Sequence, residues 1–183
     1  MVPVVALRWA GYGPEDFLLG WAADRRRVLR LPLAYAAGVM VNVGHLPAIR
    51  DALESGSVSH PVARIGLGIL LPLFTAGLPE EIVFRGFLQT RLEAAAGRLV
   101  AIVTTAILFA AWHLPTRYLL SHGVEGEAGS AISILTGTAL PVFLAGLLLG
   151  LAWDRWRNLP TLVAIHWGVD TLPVVASFLM IPF

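Results

Sequence analysis

Apolar residues run along this chain in stretches of about 20, the length that crosses a bilayer as a helix, separated by short polar or turn-forming segments. From the start they lie at roughly Leu31 to Ile49, Ile65 to Leu88, Leu99 to Leu120, Ala131 to Trp153 and Leu159 to Phe183. The pattern predicts an all-α, polytopic transmembrane helix bundle with five spans. Pro72, Pro79, Glu80, Glu81 and Arg85 interrupt the second stretch, which can also be read as two shorter helices, so the count is five to six. No internal repeat, low-complexity tract or second domain breaks the series, and residues 31–183 read as one transmembrane domain.

Residues 1–30 differ in character. Pro14, Glu15 and Asp16 open a segment that continues through Phe17, Leu18 and Trp21 to Arg25, Arg26, Arg27 and Arg30. Acids in a first turn and arginines in a last turn suit a helix macrodipole. The apolar contribution between them predicts a helix lying in the membrane interface. A signal peptide carries its charges before its apolar run, whereas here they follow it. Arginines gather on cytoplasmic loops, and Arg25 to Arg30, Arg91 with Arg98, and Arg155 with Arg157 alternate with the base-poor segments Arg50 to His60 and His122 to Ser130. The expected orientation is N-terminus in the cytoplasm and C-terminus outside.

Composition sharpens this picture. The 183 residues are 57% hydrophobic and 14% charged, against about 25% charged in ordinary soluble domains. That leaves too little polar surface for a water-soluble globule and far too much apolar side chain for disorder. A net charge of +1 gives no cationic face for nucleic acid. Without cysteine there is no disulfide framework, thiolate nucleophile or Cys-ligated zinc. All 13 basic residues are arginine, a bias that points to a GC-rich genome and thus to a bacterial cytoplasmic membrane.

Ionisable groups at membrane depth are costly and are functional candidates by default. Six fall inside three spans: Glu80, Glu81 and Arg85, then His113, then His166 and Asp170. Glu80 lies 11 residues before Arg91, His113 15 after Arg98, and His166 9 after Arg157. At about 1.5 Å per residue the three depths are roughly 16, 22 and 14 Å, all near mid-membrane. One polar pocket can hold them all.

Residues four apart share a helix face. Arg85 can therefore neutralise Glu81, and His166 pairs with Asp170, while Phe109 sits one turn before His113. Glu80 points about 100° away from Glu81 and has no local cation. A carboxylate in low dielectric without a cation is a good base, which makes Glu80 the candidate general base. Taken singly, a Glu–Arg pair fits a structural clamp as well as a site, and a lone histidine fits packing better. His45 is expected to pack, and His60 and His122 to be solvated. Trp9, Trp21, Trp153 and Trp156 suit interfacial belts. Trp112 and Trp167 flank the two histidines as pocket wall or packing.

Glu80-Glu81-Ile82-Val83-Phe84-Arg85, Phe109-Ala110-Ala111-Trp112-His113 and His166-Trp167-Gly168-Val169-Asp170 resemble, in order, the three signatures of the CAAX prenyl endopeptidase and bacteriocin-processing (CPBP, or Abi) family of intramembrane proteases. The resemblance spans about Pro79 to Asp170 and makes residues 31–183 a CPBP-type protease domain. It implies a glutamate-dependent endopeptidase whose cavity lies inside the bilayer and opens to the cytoplasm. Glu80 and His113 would activate water, His166 and residue 170 would face the oxyanion, and Glu81 and Arg85 would organise the site. The family's prenyl-protein endopeptidases carry Asn where this chain has Asp170. Because an ionised Asp donates no hydrogen bond, Asp170 is expected to orient and charge His166.

The implied substrate is a membrane-anchored or lipidated peptide or protein within the lipid bilayer: a prenylated tail, a leader peptide or a sorting helix. Expected cofactors are none, with zinc as runner-up, since a Glu and two His make an open three-ligand set although no His-Glu-x-x-His motif is present. Neither a serine nucleophile nor an aspartyl dyad has the residues it needs at depth. Two non-enzymatic readings also stand: a proton-coupled carrier using the same residues as a relay, and a non-catalytic protein for peptide binding or bacteriocin self-immunity.

Overall fold

The computed structural model describes Gly11, residues 30–119 and residues 131–181. Six helices account for these residues: α1 (Leu31–Val41), α2 (Val43–Glu54), α3 (Pro61–Ala96), α4 (Arg98–Leu119), α5 (Ile132–Trp156) and α6 (Leu159–Met180). No strand occurs among the described residues. The fold is a polytopic all-α bundle. The interfacial helix expected within residues 1–30 and the outer loop around His122 lie outside the described residues.

Four helices, α3 to α6, are long and apolar enough to cross a membrane, and α1 with α2 makes a fifth span if the bent pair counts as one. The break therefore falls elsewhere than the sequence suggested. α3 runs unbroken for 36 residues through Pro72 and Pro79, with two π-helical segments, Leu73–Gly77 and Ile82–Gln89, beside the prolines. The reading of this stretch as two helices, and with it a sixth span, is corrected. The first span is the one that bends, by 59°. At the bend, Asn42 leaves helical geometry and donates its Nδ2 to the Val169 carbonyl at 2.7 Å, and Pro47 restarts the helix beyond it.

α6 is the central element, packing against α1, along α3 from Pro61 to Gln89 and onto α5, while α4 packs on α5 and the second half of α3. Small residues allow these approaches, as is usual where no hydrophobic force distinguishes helix from lipid. At the α1–α6 crossing Gly38 and Gly168 face each other. A Cβ on Gly38 would lie 2.1 Å from the Ile165 carbonyl oxygen, and one on Gly168 would lie 2.2 Å from that of Tyr35. Gly146 sits against Ala106 and Gly150 against Gln89, so both serve contacts within this chain. Buried Arg64 on α3 donates to the carbonyls of Phe178 (2.9 Å) and Ile181 (2.6 Å), placing a cation where the α6 C-terminus is negative.

The tight apolar core collects Ile82, Leu149, Trp153, Leu159, Leu162 and Val163. Trp153 is fully buried and donates to Thr90 Oγ1 at 3.3 Å, so its expected place in an interfacial belt is corrected. It sits one turn inside α5, facing α3 and α6, whereas Trp156, at the helix end, is half exposed.

Gly38→Ala is expected to lower stability by about 1–3 kcal/mol, the range for overpacking a closed contact. Gly66→Ala, on a helix face with nothing within 4 Å of the added Cβ, should leave stability unchanged or slightly raised. Unfolding midpoints in detergent, measured side by side, check both.

Candidate functional site

The two π-helical segments flank a single turn, Leu78–Glu81, that carries Glu80 and Glu81. π-turns widen a helix and are frequent where side chains must be re-aimed. Here the two neighbouring acids reach different partners, as the 100° offset predicts.

Glu81 is fully buried, and its Oε1 accepts two hydrogen bonds, each 2.8 Å, from Arg85 Nη1 and from His166 Nδ1. The i,i+4 pair is thus extended into a triad joining α3 to α6. Arg85, also fully buried, lies 4.3 Å from the centroid of the Phe109 ring and reaches the Gly146 carbonyl at 3.4 Å. With Nδ1 of His166 committed to Glu81, the imidazole presents Nε2 to the other acids. That nitrogen is 3.9 Å from Glu80 Oε2 and 3.4 Å from Asp170 Oδ2. Glu81 thus fixes the ring through Nδ1, and Asp170, expected to orient and charge His166, stands beside Nε2. Asp170, four residues on, can reach only the far side of the ring.

His113 is set by its own helix. Its Nδ1 lies 2.7 Å from the Phe109 carbonyl oxygen. A carbonyl only accepts, so Nδ1 carries the hydrogen and Nε2 is left with a lone pair in the neutral ring. Nε2 faces Glu80 Oε2 at 3.7 Å. Phe109 explains the Phe-x-x-x-His spacing physically: its ring meets both imidazoles edge-on, with centroids 4.7 Å from His113 and 5.7 Å from His166, while backing onto Arg85.

All six ionisable residues singled out in the sequence thus converge. Glu80 stands between the two imidazoles, with Oε1 accepting from Trp112 Nε1 at 3.3 Å. Its Oε2 is buried and accepts no hydrogen bond among the described residues. Trp112 is the polar partner that sequence reasoning left open between wall and packing, and its signal was adjacency to His113. Gln89 was missed. It is buried and donates to the Gly150 carbonyl at 2.9 Å, holding α5 against α3 two turns below Glu81, and only its polarity inside an apolar stretch could have marked it.

Among the described residues no group of three His, Asp or Glu side chains is placed to hold a metal ion.

A protein-family model described as type II CAAX prenyl endopeptidase Rce1-like matches residues 63–172, a segment containing the whole constellation. No curated protein and no solved structure matches the chain.

Removing one member of a buried ion pair strands the other charge at a cost of about 3–5 kcal/mol. Arg85→Leu should therefore destabilise the fold by roughly that much. Glu80→Gln, which leaves the Arg85–Glu81–His166 triad intact, should shift unfolding by less, about 1 kcal/mol. Chemical unfolding in mixed micelles distinguishes the two.

Proposed function

The chain belongs to the Rce1-like family of type II CAAX prenyl endopeptidases, a family of membrane-embedded proteases, and from that premise we propose that it is an intramembrane endopeptidase hydrolysing a peptide bond near a lipidated or membrane-anchored segment by a Glu/His-activated water. The observation that carries this reading is the pair of facing acceptors, Glu80 Oε2 and His113 Nε2, 3.7 Å apart. Two acceptors at that separation suit one water that donates a proton to each. Its oxygen lone pair then faces outward, ready to attack a carbonyl carbon.

In the proposed reaction the water oxygen bonds to the scissile carbonyl carbon as Glu80 takes one of its protons. The carbonyl oxygen becomes an oxyanion, met by the hydrogen on His166 Nε2, whose direction is fixed because Nδ1 donates to Glu81. Asp170, beside the same Nε2, holds that hydrogen towards the cavity before substrate arrives. Collapse breaks the carbon–nitrogen bond, and the leaving amine receives the proton held by Glu80. Trp112 keeps Glu80 turned towards the histidines through its indole N–H. Arg85 acts only through Glu81.

The test uses purified protein in lipid nanodiscs with a panel of peptides: farnesylated C-terminal tails, leader peptides and C-terminal transmembrane sorting helices. Loss of a general base typically costs about 10²- to 10⁴-fold, so Glu80→Gln and His113→Ala should each lose activity on that scale with folding intact. Trp112→Phe should lose less, about tenfold for a single positioning hydrogen bond. Cleavage should persist in 1,10-phenanthroline. Full activity in Glu80→Gln would reject the protease mechanism, and chelator-sensitive cleavage restored by zinc would replace it with a metal-dependent one.

A further inference from the structure

Arginines crowd one end of the bundle, and two of those described have assigned acids. Arg98 pairs with Asp154 at 2.7 Å, and Arg157 with Glu93 and, at 3.8 Å, with Asp154. Arg30 and Arg155 are different. Each is exposed and neither side chain has an ion pair or hydrogen bond among the described residues, yet both line one cavity of about 550 Å³. That cavity lies between the start of α1, the turn joining α5 to α6, and the first turns of α6.

We propose that this cavity binds the phosphate of an anionic phospholipid. Two uncompensated guanidinium groups facing a shared space repel one another, and a phosphate that accepts from both removes the repulsion while using the planar donor fork of each. Thr161 adds a hydroxyl to the same wall. Leu33, Ala34 and Ile165 give the same cavity an apolar lining, and Leu33 is 71% exposed. Trp156 stands at the rim, half exposed, as indoles do at headgroup level. A soluble anion would use only the polar lining of this cavity. A phospholipid uses both parts, its phosphate between the arginines and its first methylenes along Leu33 and Ile165. Basic recesses between helices at a membrane face are the usual seat of such headgroups.

The site is independent of the catalytic reading. It lies on the side of α6 that meets α1, and an occupied site would tie the start of α1 to the α5–α6 turn, adding to the Gly38–Gly168 contact. The glycine crossing fixes how closely α1 approaches α6, and the lipid would fix its end.

Native mass spectrometry in neutral detergent tests the assignment, with phosphatidylglycerol, phosphatidylcholine, glycerol 3-phosphate or inorganic phosphate added to wild type and variants. Wild type should retain one phosphatidylglycerol in preference to phosphatidylcholine. Arg30→Gln/Arg155→Gln should weaken that retention by roughly tenfold or more, the scale for two interfacial charges. Arg30→Lys/Arg155→Lys, which keeps the charge but loses the planar fork, should recover only part of it, and Arg50→Gln at the opposite end should behave as wild type. Equal retention of the two lipids, or undiminished retention in the Gln double variant, would overturn the proposal. Binding of glycerol 3-phosphate or phosphate as tightly as phosphatidylglycerol would also overturn it, in favour of a soluble anion.

Discussion

A single carboxylate oxygen, Glu81 Oε1, accepts from both Arg85 and His166 in a fully buried part of the bundle, and the rest of the site is arranged around it. Ionised groups in such surroundings are tolerated only when paired, so α3 and α6 have one relative rotation in which no charge is stranded. That rotation commits one nitrogen of His166 and leaves the other facing Glu80 and Asp170. The donor and acceptor are 85 residues apart in sequence. Their contact converts a packing arrangement into a defined direction for a hydrogen-bond donor.

The bundle supports this contact from several sides. α6 is pressed against α1 through facing glycines and against α3 through Gly68 and Gly77, which approach Val175 and Trp167. Arg64 holds its far end, and the Trp167 indole donates to the Ile69 carbonyl at 2.6 Å. Tyr35 and Thr171 hydroxyls meet at 3.1 Å on the other side. The helix bearing His166 thus has little freedom to rotate or slide. Precision of this kind is what a hydrolytic site needs, because reacting atoms must be held within a fraction of an ångström. The π-turns of α3 make the complementary adjustment, aiming adjacent acids at different targets without breaking the span.

Much of this was legible in the sequence because the membrane simplifies the problem. Charged residues in apolar stretches are few, their depth follows from counting to the flanking arginines, and four-residue spacing puts Glu81 with Arg85. What escaped was information carried by contacts between spans. Nothing local tells that Glu81 takes the Nδ1 of His166; four-residue spacing marked only Asp170, which stands beside the other ring nitrogen. Prolines misled in the same way. Pro72 and Pro79 looked like breaks, but the helix runs on through both, while the true bend at Asn42 depends on a carbonyl of α6. Trp153 had the position of an interfacial anchor and the burial of a core residue, since proximity to a span's end says nothing about which side faces the neighbours.

The account comes down to a water, activated between Glu80 and His113, adding directly to a peptide carbonyl without a covalent enzyme intermediate. Single-turnover cleavage in ¹⁸O-labelled water, read by mass spectrometry of both product and enzyme, tests it most directly. Direct addition places the heavy oxygen in the new C-terminal carboxylate of the product and leaves Glu80 unlabelled. Heavy oxygen in the Glu80 side chain, with unlabelled product from the first turnover, would show the glutamate acting as nucleophile and contradict the account.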